Sequence, residues 1–261
     1  MIISYSKMNF DKINNLIYDN RYQNVYLYID SISYGFDLPN IKTWLQMRDG
    51  NIISIIYQYY QSVQLLQIIE LNQEDVIELS EFLHSLDIDM ISAQYDLIKA
   101  IHLKMNNYNL SMGYLLKYKN RNSVLDSEFE YASITDCKEI AELICSDSSI
   151  GGHYEVHALE KQLIDRILNH GCVNLIKRSN GKIIAHAATY AATIDIAVIG
   201  GVITNPQYRG TGIASRMVKS LSEKLYHSGV VPVLYCYNDN IINWYERIGW
   251  DKVIKCGSLK K

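Results

Sequence analysis

The sequence predicts a mixed α/β protein in which one strand-and-helix unit occurs twice. Three observations predict it. Two tight turns of the same kind sit between matching apolar strands, a polar stretch separates the halves, and a glycine-rich loop joins an apolar strand to an amphipathic helix.

Residues 119–127 are polar and lack apolar periodicity, as a linker does, so the expected domains are residues 1–120 and 127–261. Behind this stretch, Phe129 and Tyr131 alternate with polar neighbours as a short strand. Residues 134–144 carry apolar side chains at helical spacing behind Thr135 and Asp136, both natural N-caps. A second helix is expected over residues 158–168. Residues 173–176 read as a strand, Ser179-Asn180-Gly181 as a hairpin turn, and residues 183–190 as the returning strand, because Asn-Gly tolerates the positive φ of a tight turn. Residues 194–203 add a third strand and complete a meander.

The same pattern stands upstream. Residues 43–47 meet Asp49-Gly50-Asn51, and residues 52–60 and 63–69 follow as strands. Gly181 follows Gly50 by 131 residues, and this repetition predicts that residues 1–117 are a divergent copy of the second half. At the same offset, the position matching Gln207 is Val76, inside a helical stretch over residues 74–83 with no glycine loop. Only the second half is expected to hold a phosphate site.

Composition narrows the function class. Hydrophobic residues at 48% and charged residues at 20% are ordinary globular usage, which excludes a disordered chain. A net charge of −3 and a pI near 6.2 supply no positive field for nucleic acid or an anionic membrane, so a small-molecule or peptide partner is expected. The N-terminus lacks a basic region followed by an apolar run, and no stretch is long and apolar enough to span a bilayer. A cytoplasmic protein is expected. Cys137, Cys145, Cys172, Cys236 and Cys256 are odd in number and widely spaced, without a Cys-x-x-Cys pair or zinc-like His spacing. They read as free thiols, with no metal expected.

The chemistry concentrates in residues 200–214, between the third strand and a helix expected over residues 212–227. Ile213, Met217, Leu221 and Leu225 recur every four positions, while Arg216, Lys219 and Glu223 take the solvent side. Glycines at such a junction let backbone N–H groups converge on one point, and the helix dipole makes that point attractive to an anion such as phosphate. No Gly-Lys-Ser/Thr follows and Gly-x-Gly-x-x-Gly is not completed, so a Walker loop and a dinucleotide fingerprint are both set aside.

Gln207-Tyr208-Arg209-Gly210-Thr211-Gly212 resembles the cofactor motif of GNAT acetyltransferases, Gln/Arg-x-x-Gly-x-Gly/Ala, and matches it in full. The order of strand, Pro206, loop and helix is also similar to that family. A second motif follows at the family's distance: Asn238, Ile241, Tyr245, Gly249 and Trp250 stand where the family often has Asn, Ala, Tyr, Gly and Phe. Ile241 and Trp250 depart in identity and keep apolar character.

The resemblance implies a mostly antiparallel sheet flanked by helices, here as two related copies in tandem, and transfer of an acetyl group from acetyl-CoA to an amine. It implies that Gln207, Arg209, Gly210, Thr211, Gly212, Ile213 and Ala214 hold the CoA pyrophosphate. The backbone of Val202, Ile203 and Thr204 would bind the pantetheine arm and polarise the carbonyl, with Asn238 also beside the cofactor. Tyr245 is the expected catalytic residue: a phenol near pKa 10 can protonate the departing thiolate. A buried packing role is the alternative for Tyr245.

No general base is identified. Asp195, His186 and the group His153, Glu155 and His157 are candidates, and water is another. An acyl-cysteine route through Cys236 ranks below a buried thiol there. Because no base is evident, an acyl-CoA-binding sensor or scaffold without turnover stands as the alternative function. The first half reads as a dimer face or a pocket wall, with Tyr57, Tyr59 and Tyr60 lining a cleft in the latter case, so a homodimer is among the expected assemblies.

Overall fold

In the computed structural model, which describes residues 1–6, 10–119, 128–148, 150, 154–169 and 171–261, both halves follow one plan. β1 (Ile2–Ser4), α1 (Phe10–Asp19) and α2 (Val25–Tyr34) open the chain. Asn24 caps α2 by accepting the Leu27 N–H. β2 (Ile41–Arg48) turns through Asp49 and Gly50 into β3 (Asn51–Tyr59). Both turn residues have positive φ, 50° and 76°, as a I′ hairpin requires. β4 (Ser62–Gln67) adds antiparallel to β3, and α3 (Gln73–His84) crosses over to β5 (Met90–Gln94). There Ser62, Val63 and Gln64 lie parallel to Met90, Ile91 and Ser92. α4 (Tyr95–His102) and β6 (Asn109–Tyr118) follow.

The second half repeats the plan. After β7 (Glu130–Tyr131), α5 (Cys137–Cys145) and α6 (Val156–Asn169), β8 (Asn174–Ser179) turns through Asn180 and Gly181 into β9 (Lys182–Ala192). These turn residues have φ of 50° and 77°, nearly the values of the first hairpin. β10 (Ile196–Thr204) pairs antiparallel with β9, α7 (Ile213–His227) crosses over, and β11 (Val231–Cys236) returns parallel to β10. α8 (Asp239–Arg247) and β12 (Trp250–Lys260) end the chain. The order hairpin, third strand, crossover helix, parallel strand is the same in both halves, so the structure bears out the mixed α/β, mostly antiparallel fold in two related copies.

Packing explains why the strands are so apolar. Ile52, Ile53, Ile55, Ile56 and Tyr57 are consecutive or nearly so in β3, and all are buried, which a strand covered on both faces demands. In the second half, Cys137, Ile140 and Ile144 of α5 and Leu159 and Leu163 of α6 pack on Ile176, Ile183 and Ile203. α7 buries Ile213, Met217 and Leu221 along one stripe. Glu223, expected on the solvent side of this helix, is buried instead. Its carboxylate accepts the Tyr118 hydroxyl at 2.5 Å, a partner that helical spacing cannot disclose.

The chain divides into two compact units. One is Met1–Leu116 with Tyr235–Asn243 and Lys252–Lys261; the other is Lys117–Leu234 with Trp244–Asp251. The polar residues 120–127, where the sequence suggests a division, lie outside the described residues, and beyond residue 234 the chain alternates between the units. β12 accounts for part of this: Cys256 to Lys260 run antiparallel to Gln94 through Met90 of β5, so the last strand extends the first unit's sheet. Among the described residues no helix is long and apolar enough to cross a membrane.

Candidate active site

β10 is interrupted at its middle. Gly200 pairs with Ala188 and Ile203 with His186, so β10 carries one more residue than β9 between these pairs, a bulge at Gly201 and Val202. Gly201 has φ 60°, and a Cβ there would stand 2.3 Å from the Tyr190 hydroxyl and 3.0 Å from His186 Cε1. A Cβ on Gly200 would stand 2.7 Å from the Tyr190 ring. Two adjacent glycines therefore let the bulge settle onto Tyr190, whose other contacts include the Arg166 guanidinium 4.3 Å from its ring centre. On its far side, β10 pairs with β11 at Ile196, Ala197 and Val198. Beyond Val198, among the described residues, Val202, Ile203 and Thr204 have no strand partner on that side. The Thr204 hydroxyl is buried without a hydrogen-bond partner among the described residues.

His186 holds the bulge from beneath. The ring is fully buried, with Nδ1 2.8 Å from the Gly201 carbonyl oxygen and Nε2 2.9 Å from the Asn174 carboxamide, which donates its N–H to Nε2 in the neutral ring. A carbonyl can only accept, so Nδ1 carries the proton. Burial lowers its pKa to about 4, against a weaker opposing effect of the Gly201 bond, and the ring is neutral near pH 7.

The loop after β10 is built by short local bonds. Asn205 Oδ1 accepts the Gln207 N–H at 3.1 Å, Pro206 opens a single 3-10 turn, and the Thr211 hydroxyl donates to the Tyr208 carbonyl at 2.7 Å. Arg209 Nε donates to the Thr204 carbonyl at 3.0 Å and Nη2 to Asp147 at 2.6 Å. Arg216 Nε donates to Glu128 at 2.7 Å, and that bond with those from Lys177 keeps the Glu128 carboxyl below its usual range. Two arginines thus brace the loop. Gly210 and Gly212 have φ of 80° and 78°, and among the described residues nothing lies within 4 Å of where a Gly210 Cβ would be. α7 then begins with no side-chain N-cap among the described residues. Its first-turn N–H groups, together with the helix dipole, form a cradle suited to an anion.

The matching helix of the first half is closed. Asn72 accepts the Asp75 N–H and Asp75 accepts the Asn72 N–H, each at 2.9 Å, a complete capping box. Asp75 also pairs with Arg48, so a carboxylate occupies the place an anion would take. β3 and β4 pair in continuous register from Ser54 to Tyr59, and the irregularity comes only past the end of β4, where the Ile68 and Ile69 N–H groups both donate to the Ile53 carbonyl.

Residues 137–250 match the family model described as Acetyltransferase (GNAT) family. They are a GNAT domain. Over the whole chain, the fold is similar to that of a GCN5-related N-acetyltransferase from Sphaerobacter thermophilus, with 14% identity, coverage of 100% and 95% of the two chains, and a TM-score of 0.68. A GNAT-family acetyltransferase from Colwellia psychrerythraea gives 14% identity, coverage of 100% and 99%, and a TM-score of 0.63. A tandem GNAT protein from the clavulanic acid biosynthesis pathway gives 10% identity, coverage of 100% and 98%, and a TM-score of 0.58. At these identities the likeness is one of fold. No curated protein matches the chain.

Within the GNAT domain, Tyr245 lies on the inward face of α8, 7% exposed, with its ring edge-on to Trp244 at 4.6 Å and to Trp250 at 5.6 Å. Trp250, where the family often has Phe, is buried and carries an indole N–H without a partner among the described residues. Asn238 is the N-cap of α8: its side chain accepts the N–H groups of Asn240 and Ile241 at 3.0 and 3.2 Å. Ile241 is exposed.

The other candidates take structural places. Asp195 receives the Thr193 hydroxyl at 2.6 Å in the turn before β10. It is seven residues from Val202, roughly 20 Å along an extended strand. His186 has both nitrogens engaged and lies out of solvent. Glu155 accepts the Ala158 N–H at the start of α6, His157 is exposed beside Glu160, and His153 lies outside the described residues. All five cysteines are free, and burial pushes the Cys236 thiol up, away from a reactive thiolate. The braces Asp147 and Glu128 have no sequence signal, because each meets its arginine across more than sixty residues.

Proposed function

We propose that the protein is an N-acyltransferase that moves an acetyl group from acetyl-CoA to a small-molecule or peptide amine by direct attack. The observation that carries this reading is the uncapped N-terminus of α7 behind two positive-φ glycines, beside a bulged strand with unpaired backbone. Acetyl-CoA would supply the activated thioester, and the residues present suit it. N–H groups of Gly210 through Ala214 would bind its pyrophosphate, with Gln207 at the loop's entry. Val202, Ile203 and Thr204 offer backbone to the pantetheine arm and an N–H to the thioester carbonyl. Arg209 acts through position, since Thr204 and Asp147 already engage its guanidinium.

In the transfer, the amine nitrogen bonds to the carbonyl carbon as the carbon–sulfur bond breaks. The amine loses a proton to water, and the thiolate takes one from the Tyr245 phenol, which regains a proton from water before the next turnover. The test is release of free CoA thiol from acetyl-CoA across a panel of amines. Release that depends on an amine supports the reading. Binding of acetyl-CoA without release, for every amine, would instead make the domain an acyl-CoA-binding module.

A further inference from the structure

The first unit contains a carboxylate with no cation. Asp30, on α2, accepts the Gln64 side-chain N–H at 2.7 Å, and among the described residues no arginine, lysine or histidine pairs with it. Three other sheltered aspartates are matched, Asp75 with Arg48, Asp136 with Arg178 and Asp147 with Arg209, and the buried Glu223 accepts the Tyr118 hydroxyl with His227 3.8 Å away. A sheltered charge left alone is costly and is ordinarily paired or ligand-bound. Burial raises the Asp30 carboxyl to about 6, the Gln64 bond only partly offsetting it.

The surroundings are acceptors and aromatic faces. Gln64 is 6% exposed, and its Oε1 is buried without a partner among the described residues. Tyr57 pairs with Gln64 across β3 and β4, so the two share a face of the sheet, and Tyr59 lies on that face two residues on. Tyr34 of α2 stacks on Tyr59 at 5.4 Å, 13° from parallel, and Tyr60 meets Tyr59 edge-on at 4.8 Å. The Tyr57 hydroxyl donates to the Gly35 carbonyl at 3.0 Å. Tyr34 follows Asp30 by four residues on α2, one helical turn on, so the carboxylate and the stacked Tyr34–Tyr59 pair stand on the same side of that helix. Asp30, Tyr34 and Tyr59 are each partly exposed, so solvent reaches the group.

We infer that Asp30, Gln64, Tyr34 and Tyr59 form a binding site for an organic ammonium ion. A carboxylate supplies the counter-charge, the Gln64 carbonyl accepts an N–H, and the tyrosine faces attract an alkylated cation through their negative quadrupole. A hard metal ion is a poorer occupant: magnesium and calcium take six or more oxygen ligands, and here one carboxylate and one amide converge. The site uses no residue of the glycine loop.

The experiment titrates the full chain with methylammonium chloride and with tetramethylammonium chloride, following tyrosine ring signals by NMR, against sodium chloride at equal ionic strength. The expected result is a saturable shift of the Tyr34 and Tyr59 rings that sodium chloride does not produce. Asp30→Asn keeps the shape and the acceptor for Gln64 while deleting the charge, and it should weaken both ions by roughly tenfold or more. Tyr34→Leu, at a partly exposed ring, tests the site separately and should weaken tetramethylammonium more than methylammonium. A response of the wild type identical to that of sodium chloride overturns the inference. So does undiminished binding in folded Asp30→Asn or, should that variant fail to fold, in Tyr34→Leu.

Discussion

His186 Nδ1 lies 2.8 Å from the carbonyl oxygen of Gly201, fifteen residues later in the chain, where β10 bulges away from β9. The bond ties the most irregular piece of backbone in this strand to a ring that has no contact with solvent. It also couples stability to pH. The folded ring takes a proton only near pH 4, whereas an unfolded histidine does so near 6.5. Between those values the unfolded chain binds more protons, so the contribution of neutral His186 is whole above about pH 6.5 and is lost as pH falls toward 4. The loss should be on the order of 3 kcal/mol. Urea unfolding across this range checks it, with His186→Gln expected to flatten the slope. An equal slope in that variant would mean that other groups carry the acid sensitivity.

Gly210 separates charge from backbone strain at the loop. Its φ of 80° penalises any side chain, and a Cβ would meet nothing within 4 Å among the described residues. Gly210→Ala and Gly210→Asp therefore share a cost of about 1 kcal/mol in stability and differ in the carboxylate. Calorimetry should find CoA binding largely kept in the alanine variant and lost in the aspartate variant. Equal affinity in the two would remove the pyrophosphate from this loop.

The two halves predict a stoichiometry. α7 presents an N-terminus with no side-chain cap among the described residues, while α3 closes its own with Asn72 and Asp75. One CoA per chain is the expected value in a binding titration. A value of two would show that the capping box opens for phosphate.

Tyr245→Phe deletes a hydroxyl and leaves the ring between Trp244 and Trp250. Stability and CoA affinity should change little, and turnover should fall by roughly 10²- to 10⁴-fold if the phenol protonates the thiolate. Thiol release with a competent amine, measured under conditions where chemistry limits the rate, decides this. A change confined to KM would assign the hydroxyl to binding, and no change at all would leave Tyr245 as a packing residue.

Local signals in the sequence determined a good deal. Asp49-Gly50 and Asn180-Gly181 announced two hairpins because few residues tolerate paired positive φ. The spacing of Ile213, Met217 and Leu221 announced α7, and Gly210 and Gly212 announced the backbone that precedes it. Each of these is decided within a few residues, by steric limits on φ or by the period of one helix. Tertiary structure alone decided the bulge at Gly201, since its fit depends on Tyr190 and His186 from the neighbouring strand. It decided that Arg209 is held by Asp147, sixty-two residues earlier. It also decided that β12 pairs with β5, and that Asp30 stands beside Gln64 with no cation in reach among the described residues. Such pairings follow from strand register and from which faces the core buries, and a pattern read along one stretch of chain carries neither.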